Sequence, residues 1–291
     1  MKNLRGYLVI FTVLGFLCSG LSLLHAAEEK MIQIKGSDTM VNLSQAWAEE
    51  FMKENPSVSI AVTGGGSGTG IAALINGTTD MANSSRKIKK KEIDDAQKGG
   101  YYPEQFEVAV DALAVIVNPA NPVKELTFDQ LSDIFTGKIT NWNEVGGKDA
   151  KILVLSRDRN SGTHMYFLEQ VLRHGNEKGP EQFAPSVLML PSSEAIISET
   201  STSENAISYD GLGYVTPKVK TLAIAKKSGD AFVQPSKETA MNKTYPIWRF
   251  LYMYTGFKPK GDKKAFIDFC MSEKGQKVVE EVGFVPLGKK A

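Results

Sequence analysis

The sequence predicts an α/β protein, with open sheets covered by helices in a chain long enough for two domains. Three observations carry that expectation. Apolar runs with a period of two alternate with runs of helical spacing from residue 31 to the C-terminus. The chain has 291 residues, against a common domain size of about 150. A cluster of Ser, Thr and Gly recurs between a strand and the helix that follows it.

Composition narrows the function classes. Hydrophobic residues make up 42 %, charged residues 23 % and aromatics 9 %. These are globular proportions, so a disordered, collagen-like or polytopic membrane chain is excluded. The 34 basic and 33 acidic residues leave a formal charge of +1, with no net field for a nucleic acid. Residues 1–27 form a separate segment. Lys2 and Arg5 precede an uncharged run from Leu8, and small residues lead to Ala26 and Ala27. That is the layout of an export signal peptide, and the Leu8–Leu24 run is at the short limit for a spanning helix. Leu17 before Cys18 argues against lipidation. Loss of Lys2 and Arg5 turns the formal charge to −1 and removes Cys18. Cys270 then stands alone, on the apolar face of Ala265, Phe266, Ile267 and Phe269, and is expected to be an inert buried thiol without a disulfide.

The elements follow in order. Met31 to Ile34 alternates into Gly36 as a strand. From Ser37 the spacing turns helical through Met40, Leu43, Ala46, Trp47 and Phe51, with Ser37 a favourable N-cap and Asn55-Pro56 a stop. Val58, Ile60 and Val62 alternate before the run Gly64 to Gly70, and Ile71, Leu74 and Ile75 begin a short helix. Asp80 to Asn83 is a third strand, leading into Ser84-Ser85-Arg86, and Lys89 to Lys98 a polar helix. Val108 to Val117 is a long apolar strand, and Thr127 caps a helix to Phe135. Ile152 to Leu155 is a strand and Ser161 to His174 a helix. Strands are expected at Val187–Leu190, Ala206–Ser208, Gly213–Val215 and Pro246–Tyr254, and two helices close the chain.

The recurring loops carry the chemistry. They are Gly36-Ser37-Asp38-Thr39, Gly66-Ser67-Gly68-Thr69-Gly70 and Asn160-Ser161-Gly162-Thr163, with Ser84-Ser85-Arg86 as a less direct fourth. Each offers hydroxyls and free backbone N–H groups at the positive end of a helix, which suits an oxyanion. Glycine permits close backbone approach. Arg86 and Arg157 adjoin two of the loops and could neutralise the anion with forked hydrogen bonds. Any single Ser or Thr is better explained as a helix cap. Several together are not, because loops at the carboxyl ends of strands converge on one crevice.

Competing motifs fail. A phosphate-binding P-loop needs Lys-Ser/Thr after its last glycine, and Gly70 is followed by Ile71-Ala72. Gly68-x-Gly70-x-x-Ala73 meets the dinucleotide fingerprint only loosely. No Gly-x-Ser-x-Gly elbow and no His/Cys cluster of metal spacing occurs. No cofactor and no metal are expected.

On these residues the sequence resembles the periplasmic phosphate-binding proteins of the high-affinity phosphate ABC transporter, the PstS family. The resemblance covers nearly all of the chain after residue 27. It rests on Gly36-Ser37-Asp38-Thr39-Met40, on Thr63 to Gly70, on Asp80 to Arg86, and on Ser156-Arg157 with Ser161-Gly162-Thr163. Its most specific stretch runs from Leu126-Thr127 through Asp133-Ile134-Phe135-Thr136-Gly137-Lys138-Ile139-Thr140-Asn141-Trp142, and Ala206-Ile207 with Gly211 to Val215 adds to it. The resemblance implies a two-lobed type II periplasmic binding protein, each lobe a mixed sheet flanked by helices, with the ligand in the cleft. Lobe one would hold residues 28–111 and 247–291, and lobe two 112–246, with crossings near Asp111–Ala114 and Pro246–Arg249.

The function implied is that of an exported, non-enzymatic, monomeric receptor that binds inorganic phosphate and delivers it to an ABC-type membrane permease. The implied phosphate ligands are Ser37, Thr39, Met40, Ser67, Ser85, Arg86, Arg157, Ser161, Gly162 and Thr163. Two positions depart from the family: Arg159 stands where many relatives have an acid or a small residue, and His164 where many have Arg. An acid near the ligand would accept the proton of hydrogen phosphate and so reject sulfate. Asp38 and Asp111 are the candidates, with Asp158 a further one. The alternatives are a receptor for another tetrahedral oxyanion and a secreted phosphatase-like enzyme. The enzyme would need an activated nucleophile or a metal, of which the sequence offers little.

Overall fold

The structure, a computed structural model, describes residues 30–288; the export signal read at residues 1–27 lies outside them. Chain order is β1 (Lys30–Gly36), α1 (Val41–Glu54), β2 (Val58–Gly65), α2 (Ser67–Ile75), β3 (Met81–Ser84), α3 (Lys90–Lys98) and β4 (Glu104–Val117). There follow β5 (Glu125–Thr127), α4 (Phe128–Thr136), β6 (Leu153–Arg157), α5 (Gly162–Phe167), β7 (Leu188–Leu190), α6 (Ser193–Thr202) and β8 (Ala206–Gly211). The remainder is β9 (Lys220–Thr221), β10 (Ala223–Ala225), α7 (Lys237–Met241), β11 (Trp248–Thr255), α8 (Gly261–Met271) and α9 (Glu273–Glu281). Among the described residues, no helix is long and apolar enough to cross a membrane.

Local chemistry explains several boundaries. Thr127 caps α4: its hydroxyl accepts from Gln130 N at 3.2 Å while Gln130 Oε1 accepts from Thr127 N at 2.9 Å. Gly137, in the left-handed region at φ 82°, ends the same helix. Three expectations need correction. Ser37 makes no side-chain cap bond, and its segment opens with a 3-10 turn, Asp38–Met40, before α1. The helix expected from Ser161 to His174 is α5 followed by a π-helical segment, Leu168–Leu172. Gly213–Val215 is not a strand: Leu212–Tyr214 forms a 3-10 turn, and the Tyr214 hydroxyl donates to Asp38 O at 2.8 Å. A polar partner outside the sheet takes that tyrosine out of the ladder.

The main sheet runs β2-β1-β3-β11-β4-β8-β6-β7, with β9 on β4. β1 pairs in parallel with β2 and β3, and β6 in parallel with β7 and β8. β11 is antiparallel to both β3 and β4. β4 is shared. Its Glu104–Ala112 stretch pairs with β11, and Leu113–Val117 pairs with β8. Two large cores flank that change of partner. One gathers Ile34, Leu43, Trp47, Phe51, Phe266 and Cys270. The other gathers Leu113, Leu131, Phe135, Trp142, Phe167 and Tyr209. The loops after β1, β2 and β3 leave the carboxyl ends of parallel strands and meet the loop after β6.

The second core supports that last loop. Phe167, at the end of α5, lies flat on Tyr209 with centroids 3.8 Å apart and an interplanar angle of 7°, and Phe135 packs 4.8 Å away. Phe167→Ala would leave a cavity on both rings and should cost about 3–5 kcal/mol. Urea unfolding should show a lower midpoint with an unchanged slope.

Candidate anion-binding site

Four hydroxyls from four loops meet in the interior. Thr39 Oγ1 lies 2.9 Å from Thr163 Oγ1. Thr163 Oγ1 is 3.4 Å from Ser85 Oγ, which is 3.4 Å from Ser67 Oγ. Ser67 Oγ also accepts from Ser85 N at 3.0 Å. All four residues are buried. Each hydroxyl can donate once and accept twice, so the group can turn its protons toward a central acceptor. Gly162 lies against it: a Cβ there would fall on Ser67 Oγ and within 2.7 Å of Ser85 Oγ. Only a residue without a side chain fits where α5 begins.

Charged groups stand around the hydroxyls in pairs. Arg157, 1 % exposed, donates from Nη2 to Asp38 Oδ2 at 2.7 Å and to Pro191 O at 2.9 Å. Its Nη1 donates to Ser193 Oγ at 3.0 Å and lies 3.7 Å from Asp210 Oδ2. Asp210 in turn accepts from Ser193 Oγ at 3.0 Å and Gly211 N at 2.7 Å. Burial pushes its carboxyl up, and Arg157 pulls against that shift. Asp38 Oδ1 accepts from Gly65 N at 2.9 Å, tying the first loop to the glycine loop. A second pair lies on β4 and β11. Arg249 donates from Nε and Nη2 to Asp111 Oδ2 at 3.0 and 2.8 Å, and from Nη1 to Ser85 O at 3.2 Å. Asp111 also accepts from Leu212 N at 3.0 Å. Full burial pushes the Asp111 carboxyl up, against the pull of Arg249.

The residues picked from the sequence separate into groups. Thr39, Ser67, Ser85 and Thr163 are brought together, with Gly162 against them. Ser161 is a cap, accepting from Thr163 N at 3.2 Å and His164 N at 3.4 Å. Ser37 is buried, with its N–H on Asn83 O at 2.9 Å. The Met40 side chain lies in the first core. Arg86 is turned to Glu92, with Nη1 and Nη2 on the two carboxylate oxygens at 2.9 and 2.7 Å. Asp158 is partly exposed and its N–H bonds Leu190 O at 3.1 Å. Arg159 is exposed and lines a surface cavity with Arg173, Phe183 and Met189. Sequence reasoning missed Asp210, Ser193, Arg249 and the Asn160 side chain. Among the described residues, no group of three or more His, Cys, Asp and Glu side chains is placed to hold a metal ion.

His164 is a packing residue. It is buried, stacks on Phe183 with centroids 4.3 Å apart, and places Nδ1 3.0 Å from Ser156 Oγ, which itself lies 2.6 Å from the Tyr209 hydroxyl. Burial, with Arg159 adding to it, lowers its pKa from 6.5 to about 4. The folded state therefore holds the ring neutral, while the unfolded chain takes up a proton as pH falls below the ordinary value. Stability supplied by this residue is complete above that value and is lost between pH 6.5 and about 4, a change of about 3 kcal/mol. Thermal melts across that range should fall less steeply for His164→Gln than for the wild type.

Comparisons with known proteins bear on the family and the fold. The profile of the PBP superfamily domain matches residues 24–274. The Phosphate-binding protein PstS of Pseudomonas aeruginosa is 39% identical over 272 residues, covering 88% of this chain and 82% of that protein. The Bacillus subtilis protein of the same name is 36% identical over 259 residues, covering 88% and 80%. Among solved structures, an ABC transporter substrate-binding protein of Clostridium perfringens with bound phosphate superposes with a TM-score of 0.79 at 33% identity, covering 89% of this chain and 100% of that one. An ABC-type phosphate transport receptor from Vibrio cholerae gives 0.69 at 30% identity, covering 88% and 100%. The fold is the type II periplasmic-binding-protein fold expected from the sequence. This chain belongs to the PBP superfamily and, within it, to the PstS-type phosphate-binding proteins.

Proposed function

We propose that the protein is a receptor that binds inorganic phosphate between its two halves and hands it to an ABC-type membrane permease, without chemical turnover. The observation that carries this reading is the convergence of Thr39, Ser67, Ser85 and Thr163 from both sides of the molecule. Hydroxyl dipoles in a buried site can replace the hydration shell of an oxyanion, and Arg157 arrives already matched by Asp38. The printed names of the relatives, with a neighbour that holds phosphate, favour this anion. The reading takes residues 28–111 with 247–291 as one lobe and 112–246 as the other; the change of partner along β4 supports it. Export by residues 1–27, an extracytoplasmic location and a monomeric state belong to the same proposal.

Calorimetric titration with phosphate, sulfate, arsenate and molybdate tests the ligand, and a phosphate-ester turnover assay tests the absence of catalysis. Thr163→Ala removes a donor from the cluster. Hydrogen bonds to a charged group contribute about 1.5–3 kcal/mol, so its phosphate affinity should fall about ten- to 150-fold. A melting temperature that drops while affinity holds would make Thr163 a structural residue only.

Selectivity needs an acceptor for the proton of hydrogen phosphate. We assign it to Asp38 ahead of Asp111: each carboxylate is held by one arginine and one backbone N–H, but Asp38 adjoins Thr39 and keeps some exposure, whereas Asp111 is fully buried. Asp38→Asn weakens the Arg157 contact for every anion alike, so the ratio of affinities isolates the proton. The phosphate-to-sulfate ratio should fall by at least tenfold, about 1.4 kcal/mol, in titrations near neutral pH. An unchanged ratio moves the acceptor to Asp111. Wild-type protein that prefers sulfate or binds both anions equally would make this a general tetrahedral-oxyanion receptor.

A further inference from the structure

The glycine loop between β2 and α2 carries a contact that anion binding does not require. Asn160, in the turn between β6 and α5, lies across it. The backbone oxygen of Asn160 accepts from Gly68 N at 2.9 Å. Its Nδ2 donates to Gly65 O at 2.8 Å and to Thr69 Oγ1 at 3.1 Å. Gly66 has φ 91°, and a Cβ there would stand 2.7 Å from Asn160 O; at Gly68 the distance would be 3.2 Å. These two glycines make room for an asparagine of the other half.

The contact is built to be made and released. Asn160 and Gly65 are exposed, so separating them returns each polar group to water rather than stranding it. Asn160 is also fixed to the site, since Ser161 caps α5 and Thr163 supplies a hydroxyl. Seating Thr163 on Thr39 therefore seats Asn160 on the glycine loop. Another bridge between the halves is the ion pair of Lys89 and Glu169 at 2.9 Å, with side chains 42 % and 14 % exposed. A pair partly open to solvent adds little, and the buried Arg157–Asp38 pair that also joins the halves belongs to the anion site itself, which leaves Asn160 as the fastening outside that site.

We propose that Asn160 is the positioning residue that sets how long the two halves stay closed over the bound anion. This rests on the receptor reading above. Asn160 acts on the protein's own loop, so its removal should shorten residence and leave encounter nearly unchanged.

The test measures uptake and release of radiolabelled inorganic phosphate by the wild type, Asn160→Ala, Asn160→Asp, Thr69→Val and the double variant Asn160→Ala/Thr69→Val. Asn160→Ala should release phosphate about tenfold faster, with association within about twofold of wild type. Asn160→Asp, which keeps the turn and loses the amide donors, should behave like Asn160→Ala. Thr69→Val should have a smaller effect, absent from the Asn160→Ala background because the two share one bond. Melting of the ligand-free proteins serves as the control for folding. Normal uptake with wild-type release in both Asn160 variants overturns this inference alone. So does a loss confined to association. A wild-type protein that takes up no phosphate overturns both the inference and the receptor reading.

Discussion

A guanidinium almost wholly removed from water has to be matched, and much of this site follows from how Arg157 is matched. Removing an unpaired charge from water costs several kcal/mol, so its partners must be held close and correctly aimed. Asp38 comes from the turn after β1, Asp210 from the end of β8, and Ser193 from the start of α6. One cation thereby fixes three separate parts of the chain. The hydroxyls share those attachments: Thr39 follows Asp38, and Thr163 lies one turn of chain beyond Arg157. Asp38 also reaches Gly65 N, so the glycine loop is drawn to the same point.

Arg249 repeats the arrangement from the other side. It is matched by Asp111 on the paired strand β4 and holds the Ser85 carbonyl. The formal charges are thus largely satisfied by one another, and the four hydroxyls that meet between them are neutral dipoles. A site of this kind needs no reorganisation of charge when an anion enters or leaves, since the compensating carboxylates are already in place.

The parts legible in the sequence are those whose chemistry is local. A strand followed by Ser, Thr and Gly declares a loop at a carboxyl end, and four such loops located all four hydroxyls. Thr127 and Gln130 declare a helix start three residues apart. The aromatic face around Cys270 declares a core helix, and the thiol is fully buried. What sequence could not show is set by pairing over long separations. Asp210 reads as an ordinary turn acid until its distant partner Arg157 is known. Arg86 looks as exposed to a ligand as Arg157, yet Glu92, six residues on, takes its guanidinium. Met40 stands in a site motif but packs in the core, because its backbone turns into α1 there. Gly213–Val215 has the alternation of a strand, and the tyrosine hydroxyl reaching Asp38 O decides otherwise.

The continuity of β4 bears on how the two halves can move. The strand changes partner between Ala112 and Leu113 without a break, and Leu113 N still bonds Ile247 O at 2.8 Å. A loop hinge concentrates rotation in one or two free dihedrals. Here rotation would be shared as added twist along β4 and β11, whose ladder bonds lengthen slightly rather than rupture. A connection of that kind would resist opening in proportion to the twist added, and the Arg249–Asp111 pair lies on these same two strands.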